Sequence, residues 1–450
     1  MTAMDMQQTF EENETPLIPR SHHKISLGIR LLPLIFFFTY LNFTVFLFTY
    51  GPWPWPVKNG TTLYTFLTLA HSALAFGYLS AAFNQPRGYH SKWKVESLIN
   101  ISLLVTLLLL IPTTVARTGD LFPDVIAGIT NPGQVYLESV VLRSERTATT
   151  VVEYLRIILG PFLFLLFPLT VYYWRLLSWK IRGLALAGIL GFLAIYVASG
   201  TNKALADFVG VLPWLILAGY YSGHLILKWR HFVVIVIGGM VLLFLFLAFF
   251  TLGQITRSGS VAFYGYFPRL GIYADEGNFL IKDLPPTAKT GAIALDNYLT
   301  QGYYALYLSL DKPFIPMFGV GNSTFLYRNA VKITGVAEIA ETPYPVRIGK
   351  DGWDAYGLWA TIYPWLASDL SFPGTILAVF LIGRFLAESW LDSLQGDNPF
   401  AVATLTLFLI MVYYFPANNQ ILQNGESLVS FYVILALWIF TRRKYVWRKR

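Results

Sequence analysis

The sequence predicts an all-α, polytopic integral membrane protein with about ten transmembrane helices. Hydrophobic residues make up 55% of its 450 residues and charged residues only 13%, whereas soluble domains carry about 25% charged residues. Several apolar runs reach the roughly 20 residues that a helix needs to cross a bilayer. One long segment, 253–357, has no such run. We predict that it is a large periplasmic loop with short helices.

The apolar runs divide the chain into membrane spans and connections. The predicted spans are 31–50, 63–83, 98–115, 151–174, 183–199, 205–227, 232–252, 371–390, 400–415 and 428–440. The predicted regions are a cytoplasmic tail (1–30), seven spans (31–252) with a periplasmic loop (116–150), the major loop (253–357), an interfacial return with three spans (358–441) and a basic tail (442–450).

Charge distribution predicts the orientation and excludes several function classes. The net charge of +8 comes from Lys and Arg between the apolar runs rather than from one soluble patch, so no nucleic-acid partner is expected. Their excess in the two tails and the even-numbered connections places both termini in the cytoplasm. The chain has no cysteine, which excludes disulfides and thiolate metal sites. We expect no metal and no cofactor.

Basic residues near the predicted outer ends of the spans are candidates for binding a phosphate group. Lys203 ends the tight turn Gly200-Thr-Asn-Lys203. It either faces an anionic group or pairs with Asp207 four residues later, and both can hold at once. Arg156, a turn inside the fourth span, either acts in function, pairs with Glu153 or extends toward the interface.

Further arginines lie in the two predicted outer loops. Arg143 and Arg146 lie three residues apart on one face of a predicted amphipathic helix, with a solvated or lipid-headgroup face as the alternative. In the major loop, Arg257 and Arg269 follow the seventh span closely, and ordinary interface arginines are the alternative. Because arginine binds phosphate in a bidentate manner, we predict a diphosphate site from these residues. The full predicted set is Lys203, Arg257, Arg269, Arg143, Arg146, Arg328 and Arg347.

The major loop also carries aromatic and acidic candidates. Aromatic side chains that could stack on sugar rings are Tyr298, Tyr303, Tyr304, Trp353 and Tyr356, with an interfacial aromatic belt as the alternative. No His lies in a predicted outer segment, so a general base there would be a carboxylate or Tyr. The catalytic candidates are Asp275, Glu276, Asp351 and Asp354. We expect the site at the seam between this loop and the bilayer.

Three segments carry a resemblance to a known family. They are the turn Gly200-Thr-Asn-Lys203, the loop pattern Tyr298…Gly302-Tyr303…Phe318-Gly-Val-Gly, and the return to the membrane Asp369-Leu-Ser-Phe-Pro-Gly374. With the late periplasmic loop, they resemble the Wzy-type O-antigen and oligosaccharide repeat-unit polymerases, which are related to the O-antigen ligases. That family commonly returns to the membrane with Asp-Phe-Gly-x-x-Gly. Here Leu370 and Ser371 stand in place of its phenylalanine and first glycine.

The resemblance implies a lipid-linked glycosyltransferase of the GT-C class in the bacterial inner membrane. The implied donor is a growing glycan on undecaprenyl diphosphate, and the implied acceptor is one repeat unit on the same lipid. No metal is needed if cations stabilise the leaving diphosphate. A chain-length regulator protein is a further partner consistent with the resemblance. An O-antigen ligase and a transporter or flippase of lipid-linked glycans are the alternatives, weakened by the absence of an outer-loop His and by the mostly uncharged spans.

Overall fold

The computed structural model of the protein describes residues 25–89, 93–145, 147–258, 265–355, 357–394 and 398–443. Within these ranges it does not describe the side chains of 143–145, 147–148, 257–258 and 443.

Helices dominate the described residues, which confirms the all-α prediction. They are α1 Leu27–Tyr50, α2 Thr61–Ala82, α3 Val95–Thr118, α4 Val125–Thr130, α5 Pro132–Glu145, α6 Thr147–Tyr172, α7 Trp179–Ala198, α8 Lys203–Tyr221, α9 Trp229–Ser258, α10 Pro286–Leu310, α11 Thr324–Thr334, α12 Glu338–Glu341, α13 Tyr344–Arg347, α14 Ile362–Leu394, α15 Pro399–Tyr413 and α16 Gly425–Thr441. Two short antiparallel pairs join β1 Gly88–Tyr89 to β4 Arg442–Arg443, and β2 Tyr266–Phe267 to β3 Ile272–Tyr273.

Eight of the described helices are long and apolar enough to cross a membrane. They are α1, α2, α3, α6, α7, α8, α9 and α14. The predicted ninth and tenth spans correspond to α15 and α16, which are apolar but shorter, at 15 and 17 residues. We call the end of the bundle that carries segment 253–357 the loop end. The opposite end carries the β1–β4 pair.

The predicted eighth span is only part of a longer helix. Helix α14 begins at Ile362 and bends at Ser371, whose backbone has φ 62° and ψ 168°. Its second part packs closely on α2 because each helix offers a glycine. A Cβ on Gly77 would lie 1.9 Å from the Phe380 carbonyl oxygen, and one on Gly383 would lie 2.2 Å from that of Leu74. Small residues let two helix backbones approach in this way.

Segment 253–357 packs into the bundle rather than standing apart from it. Its longest helix, α10, lies against α1, where the hydroxyls of Tyr303 and Thr44 are 2.8 Å apart. On its other side Gln254 of α9 donates a hydrogen bond of 3.2 Å to the Tyr298 hydroxyl. The loop therefore closes the loop end of the bundle and shares side chains with the membrane helices.

Candidate functional site

Arg156 and Glu426 form a partly buried ion pair at the loop end. Arg156 of α6 is fully buried, and its Nη2 lies 2.5 Å from Glu426 Oε2. Its Nη1 donates a hydrogen bond of 3.0 Å to Thr113 Oγ1 of α3. Glu426 lies in the first turn of α16, where a carboxylate also balances the helix dipole. Because a buried guanidinium needs such partners, this pair holds α3, α6 and α16 together.

Arg117 brings a second guanidinium to the same place. It lies in the last turn of α3, with Nη2 3.6 Å from Glu153 Oε1. Its guanidinium carbon lies 4.8 Å from the centre of the Tyr196 ring. Glu153 Oε2 also faces Arg156 Nε at 4.0 Å, so this carboxylate lies between two arginines.

Lys203 contributes a third cation from the start of α8. Its Nζ lies 2.9 Å from Asp207 Oδ2, which confirms the predicted pairing at four-residue spacing. The preceding Gly200 has φ 64°, and a Cβ there would lie 2.1 Å from the Pro132 carbonyl oxygen of α5. Only glycine fits this left-handed, closely packed position. The local backbone thus places Lys203 beside the two arginines.

These charged groups line the mouth of one cavity of about 520 Å³. The lining at the mouth includes Arg117, Glu153, Lys203, Asp207 and Glu426, and Arg156 lies in the wall behind them. The lining from the middle of the spans is mostly apolar: Leu163, Phe164, Leu166, Phe167, Gly188, Ile189, Leu193 and Phe208. The cavity therefore changes from charged to apolar along the bundle axis.

The depth of the cavity follows from helix geometry. Glu153 and Leu166 line it from the same helix, α6. At 1.5 Å per residue they are about 20 Å apart along the axis. A ligand that fills the cavity can thus contact charged groups at one end and hydrocarbon side chains at the other.

Some polar atoms at the mouth are buried without a hydrogen bond. Among the described residues, Arg117 Nε, Arg156 Nε and Asp207 Oδ1 have no hydrogen-bond partner. Buried polar groups are nearly always satisfied, by protein or by a bound species. The mouth is thus a largely buried cluster of three cations, Arg117, Arg156 and Lys203, and three carboxylates, Glu153, Asp207 and Glu426.

Helix α11 of the large loop covers part of the mouth. Phe325 lines the cavity, and a Cβ on Gly425 would lie 2.7 Å from its ring. Thr324 holds the start of α11 through its backbone N–H, which donates to Gln423 Oε1 at 3.0 Å, and its hydroxyl, which donates to the Gln423 carbonyl at 2.9 Å. The mouth is therefore built jointly by the loop and by the turn before α16.

Asp369 joins the two segments that carry the family resemblance. Its Oδ1 accepts hydrogen bonds from the backbone N–H groups of Gly319 (2.8 Å) and Gly321 (3.0 Å). Its Oδ2 accepts from Asn322, through the backbone N–H (2.8 Å) and the side-chain amide (2.7 Å). Four donors on one carboxylate form a strong clamp. The clamp fixes the start of α11 to the return helix, α14.

The four carboxylates predicted as catalytic do not line this cavity. Asp275 and Glu276 are exposed on the loop. Asp351 Oδ2 pairs with Lys312 Nζ at 2.7 Å, and Asp354 Oδ2 pairs with Arg269 Nη2 at 2.7 Å. The lining carboxylates are instead Glu153, Asp207 and Glu426.

Of the predicted diphosphate-binding residues, the structure brings Lys203 to the cavity. Arg347 Nη2 donates to the Pro313 carbonyl at 2.8 Å, and Arg328 is exposed on α11. Arg269 is bound to Asp354. The side chains of Arg143, Arg146 and Arg257 lie outside the described residues.

The predicted sugar-stacking residues need a correction. Tyr303 and Trp353 have no exposed surface and Tyr304 only 7%. Trp353 and Tyr304 pack in an aromatic cluster with Trp55, and Tyr303 packs against Phe48. Rings buried in this way cannot stack on a ligand. Tyr298 is half-buried against Phe250 and Trp359, and Tyr356 lies outside the described residues.

Sequence reasoning missed Arg117 and Glu426 as site residues. Glu426 resembled an ordinary acidic residue in the first turn of a helix, and Arg117 an ordinary end of a span. The available signal was position: Arg117 follows the third predicted span and Glu426 precedes the tenth, both on the same predicted side of the membrane as Lys203.

The helices and the cavity define a polytopic α-helical membrane protein that can accommodate an amphiphilic ligand. No protein-family model matches the chain, and neither the curated proteins nor the solved structures include a detectable relative.

Proposed function

We propose that the protein is a glycosyltransferase that polymerises lipid-linked oligosaccharide repeat units into O-antigen or a related surface polysaccharide. The donor is the growing glycan on undecaprenyl diphosphate, and the acceptor is a single repeat unit on the same lipid. The reaction is drawn from the resemblance of the loop and return segments. The kind of donor is supported by the cavity.

One observation carries the proposal: the cavity has a charged mouth and an apolar interior. An undecaprenyl diphosphate is an amphiphile with a strongly anionic head and a hydrocarbon tail. The head fits beside Arg117 and Lys203, and the tail fits against the apolar side chains of α6 and α7. Buried cations bind phosphate strongly because the surrounding dielectric is low.

The lining residues can perform the transfer without a metal. The acceptor hydroxyl oxygen forms a bond to the donor's anomeric carbon, and the bond from that carbon to the diphosphate oxygen breaks. The electron pair leaves with undecaprenyl diphosphate, whose charge Arg117 and Lys203 stabilise. Asp207, which lines the mouth beside Lys203, takes the hydroxyl proton.

We further propose that all ten apolar helices cross the bacterial inner membrane, with both termini in the cytoplasm. The excess of Lys and Arg in the tails and the even-numbered connections supports this orientation. In this orientation the cavity mouth faces the periplasm, where the large loop covers the mouth.

The two alternative functions make different demands on the same site. An O-antigen ligase uses the same donor but transfers its glycan to lipid A core. A transporter or flippase has to carry the polar head through the membrane, whereas the described lining becomes mostly apolar within the bundle. The geometry therefore favours transfer at the mouth over passage of the head.

Reconstitution tests the proposal directly. Purified protein in liposomes is incubated with undecaprenyl-diphosphate-linked repeat units, and the products are separated by size. We expect a ladder of polymers, and Arg117→Ala should lower its rate about a hundredfold, the usual effect of losing a group that stabilises developing charge.

Arg175→Ala is the matched control, because Arg175 is an exposed arginine at the opposite end of the bundle. It should polymerise at the wild-type rate. Transfer to added lipid A core without any ladder would identify a ligase. Movement of the lipid-linked unit between leaflets without a covalent product would identify a transporter.

A further inference from the structure

A short apolar segment of the large loop projects away from the protein surface. In Pro313-Phe-Ile-Pro-Met-Phe318, Phe318 is 91% exposed, and Phe314 and Ile315 are 43% and 44% exposed. Single exposed apolar residues are common, but three such side chains within six residues form a patch that is unfavourable in water.

The segment is held in this conformation by its neighbours. Phe318 has φ 52°, a left-handed conformation that is costly for a bulky residue. The backbone N–H of the next residue, Gly319, donates to Asp369. Met317 points the other way and is buried with Tyr327 and Trp365. Phe318 is thus rigidly presented rather than loosely exposed.

The same clamp sets the level of the patch relative to the membrane helices. Asp369 lies just before the bend of α14 at Ser371, and the part after the bend, 372–394, is long enough to cross the roughly 30 Å hydrocarbon core. The bend therefore marks the loop-end limit of the part of α14 that can cross the bilayer by itself. Since Asp369 contacts Gly319, Phe318 lies at that same level.

The exposed side chains of α14 continue the patch into the membrane. Leu377 and Leu381, 62% and 42% exposed, lie four residues apart on one face of the part of α14 after the bend, and Leu370, 46% exposed, lies just before the bend. Leu370 is next to the clamping Asp369. The apolar surface that begins at Phe318 thus joins a face of a helix apolar enough to span the membrane.

Basic residues accompany the patch on α11. Arg328 and Lys332 are exposed and lie four residues apart, on one face of that helix. Lys and Arg at the edge of an apolar surface are suited to lipid phosphates.

We infer that the Phe314–Phe318 segment inserts into the lipid leaflet at the loop end and anchors the large loop to the membrane surface. Its partner is the lipid bilayer, with acyl chains against Phe314, Ile315 and Phe318. Since α11 starts a few residues later and its Phe325 lines the cavity, the anchor also holds the cover of the mouth at the membrane. This inference does not depend on the proposed reaction.

Spin labelling tests the inference, and the chain's lack of cysteine makes each label unique. Single cysteines are placed at Phe318, at Leu377 as the lipid-facing reference and at the exposed loop residue Lys282 as the aqueous reference. Each labelled protein is reconstituted in liposomes. Its accessibility is measured to oxygen, which partitions into lipid, and to a water-soluble nickel chelate.

We expect the label at Phe318→Cys to match Leu377→Cys, with high oxygen and low nickel accessibility. Ile315→Cys should behave in the same way. A nickel accessibility equal to that of Lys282→Cys at both positions would overturn the inference. Exclusion of both reagents would also overturn it, because it would show that protein covers the patch. In Asp369→Asn, which weakens the clamp, the label at 318 should gain nickel accessibility.

Discussion

Arg156 and Glu426, 270 positions apart in the sequence, meet at 2.5 Å in the wall of the cavity. Their pairing has a structural role, since it joins α6 to α16, and an electrostatic one, since the Glu426 carboxylate offsets the charge of the buried Arg156 guanidinium. Arg117 and Lys203 lie on the exposed side of the same cluster and are the cations that a ligand reaches first.

Removing one partner of this pair should destabilise the protein. Arg156→Ala leaves Glu426 partly buried without its cation, and breaking a buried pair costs about 3–5 kcal/mol. Because the Glu426 side chain is 25% exposed, we expect the lower end of that range. The double variant Arg156→Met, Glu426→Met should recover most of the thermal unfolding temperature in detergent while remaining inactive. Equal stability of the single variant and the wild type would show that the pair contributes nothing.

Lys203 should contribute to binding the diphosphate head. Lys203→Met should weaken the binding of undecaprenyl diphosphate about tenfold, since hydrogen bonds to charged groups contribute roughly 1.5–3 kcal/mol. Lys203→Arg should retain most of the affinity. The control is Lys180→Met, at the start of α7 and the opposite end of the bundle. If Lys203→Met and Lys180→Met bind undecaprenyl diphosphate with equal affinity, Lys203 serves only to pair with Asp207.

Asp296 should make stability depend on pH. It is 5% exposed, and the cost of burying its charge outweighs the opposing hydrogen bond from Thr300. Burial raises its pKa from 3.8 to about 7. Between these values the folded state keeps a proton that the unfolded state releases, so the free energy of unfolding falls as pH rises and levels off above about 7.

The size of this effect is roughly 4 kcal/mol, from about three pKa units at 1.36 kcal/mol each. The unfolding temperature of the wild type should fall between pH 4 and 7, and the part of this fall that Asp296 causes should disappear in Asp296→Asn. Asp283→Asn, an exposed carboxylate on the same loop, should keep it. A fall of the same size in Asp296→Asn and the wild type would refute the assignment.

Ser371 should be a strained position. Its φ of 62° and ψ of 168° lie in a region used almost only by glycine, at a cost of about 1–3 kcal/mol for other residues. Ser371→Gly should therefore raise the free energy of unfolding by about 1 kcal/mol. Ser371→Ala keeps the strain and loses the long hydrogen bond that the hydroxyl accepts from the Gly374 N–H (3.5 Å), so it should be less stable than the wild type. A lower unfolding temperature for the glycine variant would contradict this account.

Local patterns explain which features were predictable from the sequence. Apolar runs located the membrane helices because length and composition are sufficient for that. The Lys203–Asp207 pair followed from four-residue spacing on one helix. The Arg156–Glu426 pair did not, because only tertiary packing brings α6 and α16 together.

The large loop shows the limit of composition as a guide. Its aromatic residues suggested a sugar-binding surface, yet Tyr303 and Trp353 are buried. A loop that packs on the bundle needs a hydrophobic core of its own. Aromatic residues fill such a core, and the same residue types also form sugar-binding surfaces. Ser371 illustrates a different case. Its backbone conformation is one that glycine adopts readily, and no local pattern in the sequence predicted it at a serine.

The cavity between α6, α7 and α8 is the proposed binding site of the lipid diphosphate. The most direct test is photo-crosslinking with an undecaprenyl diphosphate analogue that carries a photoactivatable group in its tail, followed by peptide mapping. We expect labelling of α6 and α7 near Leu166 and Ile189, blocked by excess undecaprenyl diphosphate and strongly reduced in Arg117→Ala. Helix α9, whose apolar window has no buried residue, reports non-specific contact with lipid. Labelling confined to α9 and unaffected by the competitor would contradict the account.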